Sequence, residues 1–267
     1  MKRMRKVVVL GLCFPLLLGL ASCHQNKPRT EATNQTQANS DKVPWTASYT
    51  NLNSQVSTEE VKSLLSAHLD PNSVDAFFNL VTDYNATVGS TGLSGDFAGT
   101  NCRINSYALL KNSVTIPKLE KNDQLLFVDN DAIDKGKVFD AKDKEEFDIL
   151  FSRVETEATT DVKVHAQKME KFFSQFQFND KARMLSVVLH DNLDGEFLFV
   201  GHVGILVPAD DGFLFVEKLT FEEPYQAIKF ASKEDCYKYL STKYADYTGD
   251  GLAKPFIMDN EKWVEGY

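Results

Sequence analysis

The sequence predicts an α+β domain in which a helical N-terminal part packs on an antiparallel sheet. Three observations predict it. Between Ser57 and Phe176 apolar residues recur at helical spacing behind side-chain caps. From Met184 to Leu219 the chain turns to runs of β-branched and aromatic residues joined by short polar turns. Residues 47–267 are also enough for one well-buried core and too few for two of ordinary size.

Ser57-Thr58-Glu59-Glu60 matches a capping box, and Val61, Leu64 and Leu65 follow on one face, so a first helix starts there. Asp70-Pro71 breaks the chain, and Val74, Phe77, Phe78, Leu80 and Val81 predict a second helix running towards Tyr84-Asn85. The glycine-rich stretch 89–99 predicts a loop. Ile104, Tyr107 and Ala108 then share a helical face, with Thr100 or Asn101 as the cap, which puts Cys102 in the first turn of a third helix. Residues 111–142 are turn-rich, with a short strand expected around 125–128. Helices are expected near 143–151 and 161–176. Residues 184–189, 197–207 and 213–219 read as strands, the last two joined by the turn Ala209-Asp210-Asp211-Gly212. Residues 232–244 return to helical periodicity and should pack on the sheet.

The N-terminus has a different grammar. Lys2, Arg3, Arg5 and Lys6 precede an apolar run from Val7 to Ala21, which is short of the roughly 20 apolar residues of a membrane span. The run ends in Leu20-Ala21-Ser22-Cys23, which resembles the lipobox of bacterial lipoproteins; the plainer alternative is a secretory signal cut at a small residue. The resemblance implies a signal peptide over residues 1–22 and a diacylglyceryl anchor on Cys23, holding the protein to the outer face of the cell membrane. Residues 23–46 then serve as a tether, since their Asn, Gln, Thr and Ser cannot bury enough surface to offset ordering entropy.

Loss of residues 1–22 removes four cations and no acids, which takes the formal net charge from −9 to −13. Such a surface repels phosphate backbones and anionic headgroups, so nucleic acid is not an expected partner and the acyl chains are the expected membrane contact. Soluble peptides, glycans and proteins fit the charge better. No internal repeat is present.

Four cysteines occur. Cys13 falls in the signal and Cys23 at the lipid, which leaves Cys102 and Cys236. Outside the cytoplasm they could form a disulfide, or either could be a buried thiol packed as a small apolar residue. The third option is chemical: at a helix start, unpaired N–H groups and the dipole favour thiolate. A thiolate nucleophile needs a base, and His202 lies in the expected strand Gly201-His202-Val203-Gly204-Ile205-Leu206. With a four-residue turn, Pro208 faces Phe213 and His202 faces Leu219, so Glu217 is a diagonal neighbour of His202 on the same face. Any even turn keeps that shared face. Glu217 also rises from the apolar stripe Phe213, Phe215 and Leu219, where an unpaired carboxylate is costly. Taken singly, the plainer readings are a satisfied core histidine at His202 and a solvent-facing or lysine-paired carboxylate at Glu217; together they can orient an imidazole for proton transfer with Cys102.

Gly201-His202-Val203-Gly204-Ile205 followed by Gly212-Phe213-Leu214-Phe215-Val216-Glu217 resembles the histidine segment of NlpC-type cell-wall cysteine peptidases, a papain-like superfamily. The resemblance implies a papain-like fold with Cys102 as nucleophile, His202 as base and Glu217 in the orienting position. Asn101-Cys102-Arg103-Ile104, Gly201-His202-Val203-Gly204, Val216-Glu217-Lys218-Leu219 and Glu223-Pro224-Tyr225-Gln226-Ala227 also resemble a family of Gram-positive, streptococcal-type lipoproteins of unknown function. Oxyanion or substrate contacts are expected from the Cys102 backbone N–H and from Asn85, Tyr84, Asn101, Tyr225 or Gln226. Three features depart from the peptidase pattern. Asn101-Cys102-Arg103 stands where Asp-Cys-Ser is usual, Glu217 stands where histidine is commoner, and the Cys-to-His segment is longer.

Other signals carry less. Asp246-Tyr247-Thr248-Gly249-Asp250-Gly251 begins like a calcium loop, but its twelfth position is Ile257 rather than Glu. Gly92-Leu93-Ser94-Gly95 lacks the spacing of a serine nucleophile elbow. There is no His-Glu-x-x-His, paired Cys-x-x-Cys or phosphate loop, so no metal or other cofactor is expected. His68 and His165 are expected at surface or boundary positions, and His190 beside Asp191 is the rival base. The competing class is a non-catalytic ligand-binding or adhesion module.

Overall fold

The computed structural model describes residues 45–48, 56–91, 99–223 and 225–267. The expected signal, Cys23 and most of the tether lie outside them, as do the side chains of Tyr84 and Asn85. In chain order the elements are β1 (Trp45–Ser48), α1 (Thr58–His68), α2 (Pro71–Thr91), α3 (Cys102–Leu110), β2 (Val114–Thr115), a 3-10 turn (Gln124–Leu126), α4 (Phe127–Gly136), α5 (Ala141–Leu150), β3 (Val154–Glu155), α6 (Val162–Phe173), β4 (Gln177–Phe178), β5 (Arg183–Asp191), β6 (Phe197–Ala209), β7 (Gly212–Lys218), β8 (Tyr225–Phe230), α7 (Lys233–Lys243), β9 (Phe256–Asp259) and β10 (Lys262–Trp263).

Helix starts follow local chemistry. Ser57 Oγ accepts from Glu60 N at 3.1 Å, Asn101 Oδ1 from Ile104 N at 3.1 Å, and Ser232 Oγ from Asp235 N at 3.2 Å, each satisfying an N–H that the first turn leaves unpaired. Asp70 Oδ1 does the same for Asn72 N and Ser73 N, ahead of which Pro71 opens α2.

Several expectations change. The strand expected at 125–128 is a 3-10 turn running into α4. Leu126, Asp129, Ala132 and Ile133 are buried at helical intervals while Phe127 and Val128 are exposed, whereas a strand would have buried Leu126 and Val128 together. Helix α2 continues through Gly89 to Thr91, into the expected loop. Strand β1 begins at Trp45, inside the stretch expected to be tether, because its backbone pairs with β8. Strands β8, β9 and β10 had no counterpart in the expected strand runs.

The architecture is α+β, with helices packed against a largely antiparallel sheet. The main sheet has the order β1-β8-β7-β6-β5-β9-β10, with β3 on β6 beside this path, and β2 with β4 forms a small separate sheet. Core residues cover both faces of the main sheet. Val203, Ile205, Val207, Leu214 and Val216 pack with residues of α1, α2 and α3, while Leu206, Phe215 and Ile228 pack with Cys236, Tyr237 and Leu240 of α7. Strand alternation separates the two sets.

Two features of β6 set the site. Ala209 pairs with Gly212, so the β6–β7 turn is the two residues Asp210-Asp211, and Pro208 faces Phe213 as expected. Gly212 has φ +141°, and a Cβ there would lie 2.1 Å from the Phe230 carbonyl oxygen, so glycine is required. Between β5 and β6, Val187 faces His202 but Val188 faces Val200, which leaves Gly201 as a bulge residue.

Candidate active site

Strands β6 and β7 are paired from Ala209–Gly212 as far as Ile205–Val216. Beyond that last pair, the N-terminal half of α3 takes over Val203. Ser106 Oγ donates to the Val203 carbonyl at 3.3 Å, and the Val203 N–H bonds the Cys102 sulfur. Cys102 and Ser106 are four apart and therefore stack on one helix face. Cys102 thus reaches a strand whose His202 side chain lies on the opposite side from its own helix.

His202 Nε2 lies 2.5 Å from Glu217 Oε2, and the thiol of Cys102 is coupled to the same ring by hydrogen bonding and charge. With Nε2 directed to the carboxylate, Nδ1 is the nitrogen left for sulfur. The structure therefore brings the three sequence-derived candidates, Cys102, His202 and Glu217, into one cluster. Cys102 is 6 % exposed, and His202 and Glu217 each 2 %.

The electrostatics favour an ion pair. Burial pushes the Cys102 thiol up, but the charge and hydrogen bond of His202, the Arg103 charge and the Val203 N–H together bring it below its ordinary value. Burial also disfavours charge on His202, yet Cys102 and Glu217 raise the imidazole to about 9. Glu217 would be raised by burial but is held down to about 2, chiefly by His202 and then by Lys243 and Tyr239.

Glu217 is held from several sides. Its Oε1 accepts from Tyr239 Oη at 2.6 Å, Gln226 Nε2 at 3.0 Å and Lys243 Nζ at 3.3 Å. Gln226 faces Glu217 directly across β7 and β8, and Tyr239 and Lys243 are four apart on α7. Such a cage fixes the carboxylate and, through it, the imidazole.

Of the expected oxyanion and substrate contacts, Gln226, Asn101 and Tyr225 hydrogen-bond within the protein. Gln226 serves Glu217. Asn101 caps α3 and donates from Nδ2 to Asp129 Oδ1 at 2.7 Å. Tyr225 lies on the other face of β8, fully buried, donating to Asn105 Oδ1 at 2.7 Å. Asn85 and Tyr84 lie along α2, with side chains outside the described residues. The rival base His190 has both ring nitrogens engaged, Nε2 with Glu196 Oε2 at 2.7 Å and Nδ1 accepting from Ala253 N at 3.1 Å. His165, expected at the surface, is fully buried, because Thr156 and the Thr159 carbonyl satisfy its ring. His68, half-buried, meets the Pro208 carbonyl at 3.1 Å.

Cys102 and Cys236 are both free and belong to core clusters on opposite faces of the sheet, which removes the disulfide alternative. Among the described residues no cluster of three or more His, Cys, Asp or Glu could hold a metal, and no helix is long and apolar enough to cross a membrane.

A family described as a domain of unknown function, DUF4300, matches residues 48–95 and 91–264. The chain belongs to the DUF4300 family. No curated protein and no solved structure matches it. Within this DUF4300 domain, several contributors to the cluster had little sequence signal. The Gly201 bulge depends on pairing with β5, and Asp129 sits in a helix whose start resembles a strand. Tyr239 and Lys243 were accessible in principle, as an i, i+4 pair on an expected helix.

Proposed function

We propose that the domain is a papain-like thiol hydrolase that cleaves an amide or peptide bond, with cell-wall peptide as the candidate substrate. The observation that carries this is the 2.5 Å contact between His202 and Glu217 on a ring whose other side is coupled to the Cys102 thiol. In the proposed reaction the Cys102 sulfur attacks the carbonyl carbon, forming a C–S bond and an oxyanion, which the Cys102 backbone N–H, in the first turn of α3 where the helix itself offers no acceptor, can stabilise. His202 gives its proton to the leaving amine as the C–N bond breaks. Water, deprotonated by His202, then hydrolyses the thioester, while Glu217 keeps the ring in one orientation.

The placement at the membrane is proposed from the sequence. Cys23 carries the lipid, and residues up to Trp45 hold the domain away from the bilayer. In the producing cell, C23S should release the protein to the medium and lose incorporation of a palmitate analogue; retention of both in the variant refutes the anchor.

The enzyme is tested with purified protein, peptidoglycan fragments and simple peptide amides, scoring new amines. C102S and H202A should abolish release. The near-complete burial of Cys102 favours a second reading, a non-catalytic surface module on a hydrolase-like framework. That reading is supported if no substrate is cleaved and Cys102 alkylates with an ordinary value near 8.5.

A further inference from the structure

Asn101 and Arg103, the residues on either side of Cys102, close on one carboxylate. Asp129 of α4 is fully buried and accepts from Asn101 Nδ2 at 2.7 Å, Arg103 Nε at 2.9 Å and Arg103 Nη2 at 2.7 Å. The guanidinium is thus held bidentately, in the planar fork that only arginine supplies. Its Nη1 donates to the Val200 carbonyl at 2.9 Å. Val200 directly precedes the bulge residue Gly201, two residues before His202, where the ladder with β5 shifts register.

Arg103 therefore joins the turn that carries sulfur to the strand that carries imidazole. A buried ion pair of this kind adds little net stability relative to well-packed apolar side chains. What it does supply is geometry: a fixed separation between α3 and the β6 bulge. The two positions where the sequence departs from the peptidase pattern around the cysteine are also the two that grip Asp129.

We propose that Arg103, held by Asp129, is a positioning residue that pins the Cys102 end of α3 to the β6 bulge and so sets the alignment of sulfur and imidazole. This rests on the reading of Cys102 and His202 as nucleophile and base. The titratable and charged groups around the sulfur are His202 on β6, Arg103 on α3, Lys218 on β7 and Tyr244 after α7. Of these, Lys218 donates to the carbonyls of Thr220, Phe221 and Glu223.

The test is the pH dependence of Cys102 alkylation by iodoacetamide in the full chain, read at that residue by mass spectrometry. R103K keeps the charge and loses the fork; D129N keeps the shape and loses the anion. Each should move the thiolate inflection up by about one unit, a roughly tenfold slower reaction on its acid side. N101S keeps a cap and drops a single bond to Asp129, so it should shift the inflection less in the same direction, and it decides the matter if the other two do not fold. Inflections that stay at the wild-type position, with only the unfolding midpoint lowered, overturn the proposal and leave the hydrolase reading intact. A wild-type inflection at the ordinary thiol value overturns the hydrolase reading itself, and this proposal with it.

Discussion

Tyr244 lies over the imidazole of His202, with ring centroids 4.9 Å apart and planes 24° from parallel. It directly follows α7, the helix whose Tyr239 and Lys243 hold Glu217. The end of α7 therefore both orients the carboxylate and covers the ring it binds. Excluding water from a hydrogen-bonded charge pair strengthens it.

Replacing this lid residue separates covering from hydroxyl chemistry. Y244A should lower stability by about 0.5–1.5 kcal/mol from the lost ring contact alone and reduce the thiolate fraction of Cys102 at neutral pH. Y244F should retain both. Urea unfolding and alkylation rates measure the two effects, and a Y244F as impaired as Y244A would show that stacking is not what matters.

The Glu217–His202 pair predicts a signed pH dependence. Glu217, held at about 2, contributes stability that is present above its unfolded value and lost as pH falls through about 2. His202, raised to about 9, contributes stability that is fully present below its unfolded value and lost as pH rises through about 9. E217Q should cost roughly 3–5 kcal/mol near pH 6, with the deficit shrinking towards pH 2 and again above pH 9. A deficit independent of pH in urea titrations would rule out the ion pair as its source.

Gly204 lies two residues from His202, and a Cβ there would meet Phe215 Cζ at 2.4 Å and the Val216 carbonyl oxygen at 2.8 Å. The ring can shift, but the backbone oxygen cannot without moving β7. G204A should destabilise by about 1–3 kcal/mol and, by parting β6 from β7, also weaken the His202–Glu217 contact. Chemical denaturation and the histidine ring NMR titration report each part; an unchanged midpoint would contradict it.

Cys236 supplies an internal control. It is fully buried, and burial followed by the charges of Glu217, Asp259 and Asp235 pushes its thiol up. Under native conditions it should remain unalkylated while Cys102 reacts, becoming labelled only in denaturant. Equal labelling of the two thiols at neutral pH would mean that Cys102 is not activated.

The sequence by itself determined which side chains share a face. Ser57, Asn101 and Ser232 announce helix starts because a cap is a bond within one turn. The parity linking His202 to Glu217 followed from a tight hairpin, where chain neighbours fix the register. Such relations are short-range, so the local pattern carries them. Position 125–128 misled, because four apolar residues fit strand and helix alike until Ala132 and Ile133 choose the buried side.

Only the tertiary structure decided what converges. Whether α3 meets β6 at Val203, whether Arg103 reaches Val200, and whether α7 brings Tyr239 and Lys243 onto Glu217 and Tyr244 onto the imidazole depend on packing between segments about 20 to 100 residues apart. Those contacts are long-range consequences of how two helical layers bury opposite faces of one sheet. No periodicity encodes the distance between faces, and that distance is what sets sulfur beside a ring on the other side of its strand.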